Sequence, residues 1–505
     1  NPFHSREQTS QHDGPLEYSS SGVLLDSHHG LVLTSGQVFA GVIKGQARRN
    51  FLPGTLKRWE MSTKQTDAYF TERDLTSGIS IDVVLPGGGV ASPTSFPSVT
   101  TSSNVHRKNS NESRTRTRSA KLRLLWKCQD FEDVLRRIVP ERDGWQLAGR
   151  EEVEEDDQTS GQSGQGSVPA RDGQTGQCVE PFGLSSVSRN LPQDNFISWF
   201  ALLQLTDLED GWQPVQPFSL MRSPFFADNL TIKQGDVVCL KATPFGATCP
   251  SIFLNSISKG IISNVVGARH QLIMTDARCI PGSEGGGLYL DPAGLDSGKH
   301  SHLAGIIVSP LCWKNNEWIG LTLACSIQTI VESLSGFIPL VETISPAEAP
   351  SSSSSQELQQ APSSVIQRCM RNIVLIRVGT VWGSGVVVNA TKGIVVTCRH
   401  VIQKATDYHV RVRLDYPSQH WKDATVLYST SPSSSYDLAI LKLEGGVDIA
   451  MQATYTSGRR TADSVTEGQP VFIVGHALLA PELDLSPSIS AGVVSKVIHA
   501  NSRPV

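Results

Sequence analysis

An internal repeat constrains this chain more than any other feature, because two copies of one pattern in one order call for two copies of one folding unit. Residues 21–38 (SGVLLDSHHGLVLTSGQV) and 384–401 (SGVVVNATKGIVVTCRHV) align without a gap at a constant offset of 363. Each reads as a hairpin: a β-branched run, a polar turn closed by Gly30 or Gly393, and a second apolar run. Two further blocks follow in the same order. Trp199-Phe-Ala-Leu-Leu-Gln-Leu205 matches Asp437-Leu-Ala-Ile-Leu-Lys-Leu443, and Gly260-Ile-Ile-Ser-Asn-Val265 matches Gly492-Val-Val-Ser-Lys-Val497.

The copies differ in the length between the first two blocks. Only 37 residues separate His400 from Asp437, against 162 between Gln37 and Trp199, so the first copy carries a large insertion. Residues 93–119 and 151–190 are dense in Ser, Thr, Gly, Gln and charge and read as disordered loops. Residues 345–365, with the serine run 351–355, read as a linker. The chain is thus expected to divide into a unit at 15–344 with a low-complexity insertion over about 90–190, the linker, and a second, incomplete unit at 366–505. Helices are expected only at 130–138 and 326–336. The rest is short β-rich runs separated by turns, an all-β pattern of sandwiches or barrels.

Serine-based peptide hydrolysis needs a histidine to take the hydroxyl proton and an aspartate to fix that histidine's tautomer. His400 follows the apolar run Ile394-Val-Val-Thr397, and Asp437 opens the apolar run 438–443. Taken singly, His400 reads as a surface histidine at a strand end and Asp437 as a turn residue. Together, in order and inside the repeat, they read as general base and orienter. The serine is expected in a Gly-rich turn whose N–H groups stabilise an oxyanion. In the first copy that turn is Gly282-Ser-Glu-Gly-Gly-Gly287, with Glu284 lying 21 residues after Ser263. The same spacing from Ser495 places the nucleophile about a dozen residues past Val505. Through this alignment Gln37 stands opposite His400, Trp199 opposite Asp437, and Glu284 at the serine position, so the first copy reads as degenerate. Cys398 as an alternative nucleophile fails, because a residue two before the histidine on one strand cannot easily bring its thiol to the same ring.

These segments resemble those of the Deg-type trypsin-like serine proteases, and among them the peroxisomal leader peptide-processing proteases. The resemblance is carried by Thr380-Val-Trp-Gly-Ser-Gly385, Val396-Thr-Cys-Arg-His-Val401, Leu272-Ile-Met-Thr-Asp-Ala-Arg-Cys279, Pro310-Leu-Cys-Trp-Lys314 and Ile252-Phe-Leu-Asn255. It implies two tandem trypsin-like double β-barrel units, the second truncated at its carboxy end. It further implies a peroxisomal endopeptidase that removes targeting leaders from imported matrix enzymes and processes fatty-acid oxidation enzymes. Cleavage of its own chain near residues 90–115 would follow, with the product staying associated, and no cofactor or metal would be needed. A chain without the serine is expected to be inactive. The competing reading is a non-catalytic scaffold built on two such folds, distinguished by whether a G-x-S-G-G-P string follows Val505.

Composition fits these readings. With 505 residues and 39% apolar side chains, two or three domains can each bury a core. A net charge of −4 presents no broad basic field for nucleic acid, the basic stretch from Arg114 to Arg123 excepted. The acidic run Glu151–Asp157 reads as solvated linker. Nine cysteines without paired spacing argue against a disulfide framework and for a reducing compartment. No apolar run approaches the roughly 20 residues of a membrane span, so membrane insertion is not expected. Both ends read as cut, with Asn rather than Met first and a strand-like stretch last.

Overall fold

A computed structural model describes residues 17–26, 30–40, 69–70, 80–86, 98–102, 115–139, 145–147, 196–206, 231–245, 250–280, 282–290, 302–314, 317–335, 364–415, 419–434, 436–453, 465–476, 486–497, 499–500 and 503–504. Its elements are mostly strands, and most of them close into barrels. The first set is β1 (Glu17–Asp26), β2 (Leu31–Ser35), β3 (Tyr69–Phe70), β4 (Ser80–Pro86), β5 (Ser98–Ser102), β6 (Thr115–Lys127), β7 (Trp145–Leu147) and β8 (Trp199–Leu205). Strand β6 pairs with both β4 and β8, so β1, β2, β8, β6, β4 and β5 form a closed ring with β3 added at β6. The second set is β9 (Val237–Ala242), β10 (Ser256–Val266), β11 (Leu272–Thr275), β12 (Gly287–Leu290), β13 (His302–Lys314) and β14 (Glu317–Ser326). These close in the order β9-β10-β11-β14-β13-β12, with β7 added at β13. A third barrel, from β15 (Ile373–Val378), β16 (Val381–Asn389), β17 (Ile394–Thr397), β18 (Val410–Leu414), β19 (His420–Ser429) and β20 (Ala439–Leu443), has the matching order β15-β16-β17-β20-β19-β18. After it, β21 (Pro470–Gly475) and β22 (Ser488–Val493) form an antiparallel hairpin.

The repeat holds at the level of individual residue pairs. Gly22 faces Thr34 across β1 and β2 as Gly385 faces Thr397 across β16 and β17, and both ladders slip just before the turn, at Asp26 and Asn389. Gly30 and Gly393 close these turns at φ of 62° and 64°, a region that side chains with a Cβ avoid. Val32 pairs with Leu203 as Val395 pairs with Leu441. The hairpin β21–β22 reproduces β9–β10: Gly260 faces Val238, and Gly492 faces Val471. Even the entry turn repeats, with Gly235 N–H donating to Ile262 O and Gly468 N–H donating to Val494 O.

Two expectations from sequence need correction. Residues 98–102 and 115–119, read as disordered loop, are strand. The reason is topological: β5 runs antiparallel to β1 and lies between β1 and β4, the place that β15 holds between β16 and β18. The first barrel therefore takes from inside its insertion the strand that the third barrel takes from before its hairpin. Thr, Ser and Val tolerate such a pleated, paired position although they cannot fill a core alone. Residues 93–97, 103–114 and 151–190 of those stretches lie outside the described residues. The helices α1 (Gln129–Ile138), α2 (Pro250–Phe253) and α3 (Ile327–Ser335) are joined by α4 (Ser364–Asn372), which begins inside the expected linker; 345–363 lie outside the described residues.

Burial explains why the first copy is apolar on both faces of its hairpin. Leu24 and Val32 point into the first barrel with Trp199 and Leu203. Val23, Leu25, Leu31 and Leu33 point outward, into a second cluster formed with α1, α3 and strands of the second barrel. In the third barrel Val387 and Val395 are buried while their neighbours Val386, Val388, Ile394 and Val396 are only half-buried. Among the described residues no second barrel covers that outer face beyond the hairpin β21–β22.

That hairpin rests on the first unit. Asp276 accepts from Ile261 N–H through Oδ1 and from Ala491 N–H through Oδ2, each at 2.7 Å, joining β10 to its own counterpart β22. Asn264 Nδ2 donates to Ser486 O and Ser488 Oγ, and Gln234 Nε2 donates to Pro487 O. Ile261, Ile366 and Ile489 pack beneath them. A two-stranded hairpin is marginal by itself in water, so this seat carries its stability. Asp276→Asn replaces one acceptor by an amide donor facing an N–H and is expected to cost about 1 kcal/mol at the seat. Amide exchange should then quicken across 488–493 and stay unchanged inside the third barrel; equal protection in both proteins would contradict the role given to Asp276.

Candidate functional site

The site is assembled at the mouth of the third barrel. Strand β17 ends at Thr397, Cys398 continues extended, and a 3-10 turn follows at Arg399–Ile402. Thr397 Oγ1 donates to Ser384 O at 2.8 Å and pins this end of β17 to β16. Asp437 stands just before β20, which is bonded to β17 along its length, so register alone brings the carboxylate to the turn. His400 N–H donates to Asp437 Oδ1 at 3.0 Å, and His400 Nδ1 is hydrogen-bonded to Asp437 Oδ2. Arg399 Nε lies 3.9 Å from the same carboxylate. The His400 hydrogen bond is the main cause that holds the Asp437 carboxyl below its usual range, with the Arg399 charge adding to it.

The chemical consequence lies in the tautomer. With Asp437 accepting at Nδ1, the neutral imidazole carries its lone pair on Nε2 and can take a proton there, while the carboxylate stabilises the imidazolium that results. Side-chain exposures of 59% for His400 and 42% for Asp437 leave the pair open to a reacting group. Cys398 is adjacent, but burial first, and then the Asp437 charge, push its thiol up, which is the opposite of an activated nucleophile.

The first unit shows what occupies the same positions there. Gln37 donates from Nε2 to Val308 O at 2.6 Å. Trp199 is 2% exposed in the core of the first barrel, against Phe70 and Phe196. Gly36 N–H donates to Trp199 O, a backbone bond that holds the end of β2 to the start of β8 where the third barrel uses the Asp437 side chain. The Glu284 loop lies against β1: Ser21 N–H and Ser20 Oγ donate to Glu284 O, and Ser21 Oγ donates to Gly282 O. A Cβ on Gly285 would stand 2.1 Å from Ser21 O, so only glycine fits where the loop crosses the strand. The Glu284 side chain accepts from Gly282 N–H, yet burial outweighs that bond and pushes its carboxyl up.

Ser21 ties the two barrels of the first unit together, since its hydroxyl also accepts from Thr243 N–H at 2.8 Å. Its counterpart Ser384 accepts from His476 N–H, likewise at 2.8 Å. His476 is itself buried, with Nε2 at 3.3 Å from Asp415, whose other oxygen lies 3.0 Å from the buried Arg413. Sequence reasoning missed Ser384, His476, Asp415 and Arg413. The readable signal was the matched pair Ser21 and Ser384 within the aligned block; the polar cluster has no counterpart in the repeat that would have marked it.

Residues 383–504 match the family model of the trypsin-like peptidase domain. The chain is 32% identical over 330 residues to the peroxisomal leader peptide-processing protease of Mus musculus, covering 61% of this chain and 50% of that protein. It is also 32% identical over 314 residues to the protein of the same name from Homo sapiens, covering 61% of this chain and 51% of that one. The chain thus spans about half the length of the curated relatives it matches. Among solved structures, the serine endoprotease from Yersinia pestis matches at 21% identity over 26% of this chain and 43% of that chain, with a TM-score of 0.21, too low to weigh. No helix among the described residues is long and apolar enough to cross a membrane.

Proposed function

We propose that the chain belongs to a serine endopeptidase in which the second unit, 366–505, is the catalytic one and the first, 15–344, is its degenerate partner. In this reading His400 is the general base and Asp437 its orienter. The single observation that supports it most is the double engagement of Asp437, which accepts from His400 N–H and from its ring Nδ1. The nucleophilic serine follows Val505 in a Gly-rich turn, seated on Ser384 as the Glu284 loop is seated on Ser21. Attack by its oxygen on a peptide carbonyl passes the hydroxyl proton to His400 Nε2, and the same proton then goes to the leaving amine.

The substrates we infer are amino-terminal leaders of peroxisomal matrix enzymes, and the location is the peroxisome, on the strength of the two relatives' names. Processing of fatty-acid oxidation enzymes and self-cleavage near residues 90–115 belong to the same proposal, with the cleaved piece held by contacts such as Asp276 to Ala491. The replacement of all three positions by Gln37, Trp199 and Glu284 favours a purely structural role for the first unit. The test is turnover of a leader-containing peptide by the product of the longer transcript, with His400→Ala beside it. Loss of turnover in the variant is expected; equal turnover would overturn the assignment.

A further inference from the structure

Cys398, His400 and Asp437 each present a ligand atom, and these atoms all lie within 4.8 Å of one another. Cys398 has extended backbone at φ −80° and ψ 143°, directly before the turn that carries His400. The expectation that the two-residue spacing keeps this thiol from the ring does not hold, because the 3-10 turn that begins at Arg399 bends the chain and brings Cys398 Sγ within 4.8 Å of a His400 ring nitrogen. Asp437 faces them from the start of β20. We propose that these three side chains form a zinc site and that zinc there switches off the His400 general base. The inhibitory half rests on the peptidase reading given above; the binding half stands on the geometry.

A thiolate, an imidazole and a carboxylate combine a soft, a borderline and a hard donor, and the first two suit Zn²⁺ over Mg²⁺ or Ca²⁺. Three protein ligands leave a fourth tetrahedral position for water. With metal–ligand distances of about 2.0 to 2.3 Å, the ligand atoms of such a site stand about 3.4 to 3.7 Å apart. The present set needs the farther atoms to close by roughly 1 Å and the hydrogen-bonded pair to open, which exposed side chains at a strand end can do by rotamer change. Arg399, at 3.9 Å from the Asp437 carboxylate, is the competing cation.

The exchange balances without any redox step. The Cys398 S–H bond breaks, its proton leaves to solvent, and a Zn–S bond forms. Zinc replaces hydrogen at His400 Nδ1, and that proton is taken up at Nε2 through solvent. Nε2 then bears a hydrogen instead of a lone pair and cannot accept one from a serine. Metal occupancy and peptidase competence therefore exclude each other.

The experiment is competition for Zn²⁺ between the 505-residue chain and a chromophoric chelator, followed by iodoacetamide labelling of Cys398 read by mass spectrometry. One equivalent should be held by the wild-type chain, with Cys398→Ser and Asp437→Asn each weakening it about tenfold or more. Zinc should slow labelling of Cys398, and EDTA should restore it. Unchanged affinity in both variants, or labelling indifferent to zinc, overturns the site. Turnover by the longer product that is indifferent to added zinc sinks this inference alone; no turnover after zinc is stripped with EDTA, with zinc still bound on its return, sinks the peptidase reading and leaves the site standing.

Discussion

Asp437→Asn in the longer product is expected to lower kcat for a peptide substrate about ten-thousand-fold, with KM little changed. The asparagine keeps the shape of the contact and offers an amide in place of a carboxylate. Its NH₂ group, facing His400 Nδ1, selects the tautomer with hydrogen on Nε2, and the base then points a proton at the nucleophile instead of a lone pair. Since Asp437 and His400 are exposed, the substitution should leave the melting temperature of the third barrel almost unaltered, which separates lost chemistry from lost fold. His400→Ala should be more damaging still, and the double variant no worse than His400→Ala alone, because the pair acts as a unit. A loss smaller than about tenfold for Asp437→Asn would remove Asp437 from the chemistry.

Trp199→Asp, which writes the second copy's residue back into the first, should unfold the first barrel instead of reviving it. Trp199 lies in the interior cluster beside Phe70, Phe196 and Leu203, and its carbonyl receives Gly36 N–H. Emptying such a site costs about 3 to 5 kcal/mol through lost burial and cavity. The new carboxylate adds several more, because Gln37 has no charge to pair with it. Against a domain stability of about 5 to 15 kcal/mol, that is enough to lose the fold at ambient temperature. The expected readout is loss of protected amides in β1, β2 and β8 with the third barrel still protected. A folded first barrel in this variant would mean that the Trp199 pocket hydrates or collapses at little cost. Position 199 of the first barrel is thus held to an apolar residue by packing, since it forms part of a core.

Much of this architecture was legible because the repeat carries register as well as pattern. Laying 21–38 on 384–401 leads to two like hairpins, and the structure pairs Gly22 with Thr34 as it pairs Gly385 with Thr397 and brings His400 to Asp437. What sequence alone could not reveal was non-local. Strand β5 lies in a Ser- and Thr-rich stretch with few core-forming residues, and its slot between β1 and β4 is what makes it a strand. Helix α4 hides at the end of a low-complexity run, where Ile366 is its buried anchor on Gly235 and Ile261. The Asp276 bridge joins residues 215 apart in sequence. Nothing in the run Thr275-Asp-Ala-Arg278 distinguishes it from a solvated turn.

His400 as general base is tested most directly by labelling the longer product with a fluorophosphonate, which reacts with a serine activated by a neighbouring base, and mapping the labelled peptide. One labelled serine is expected in a G-x-S-G-G turn about a dozen residues past Val505, placed from Ser495 as Glu284 is from Ser263, with no label at all in His400→Ala. A label that persists without His400, or that falls on a serine outside such a turn, would contradict this assignment.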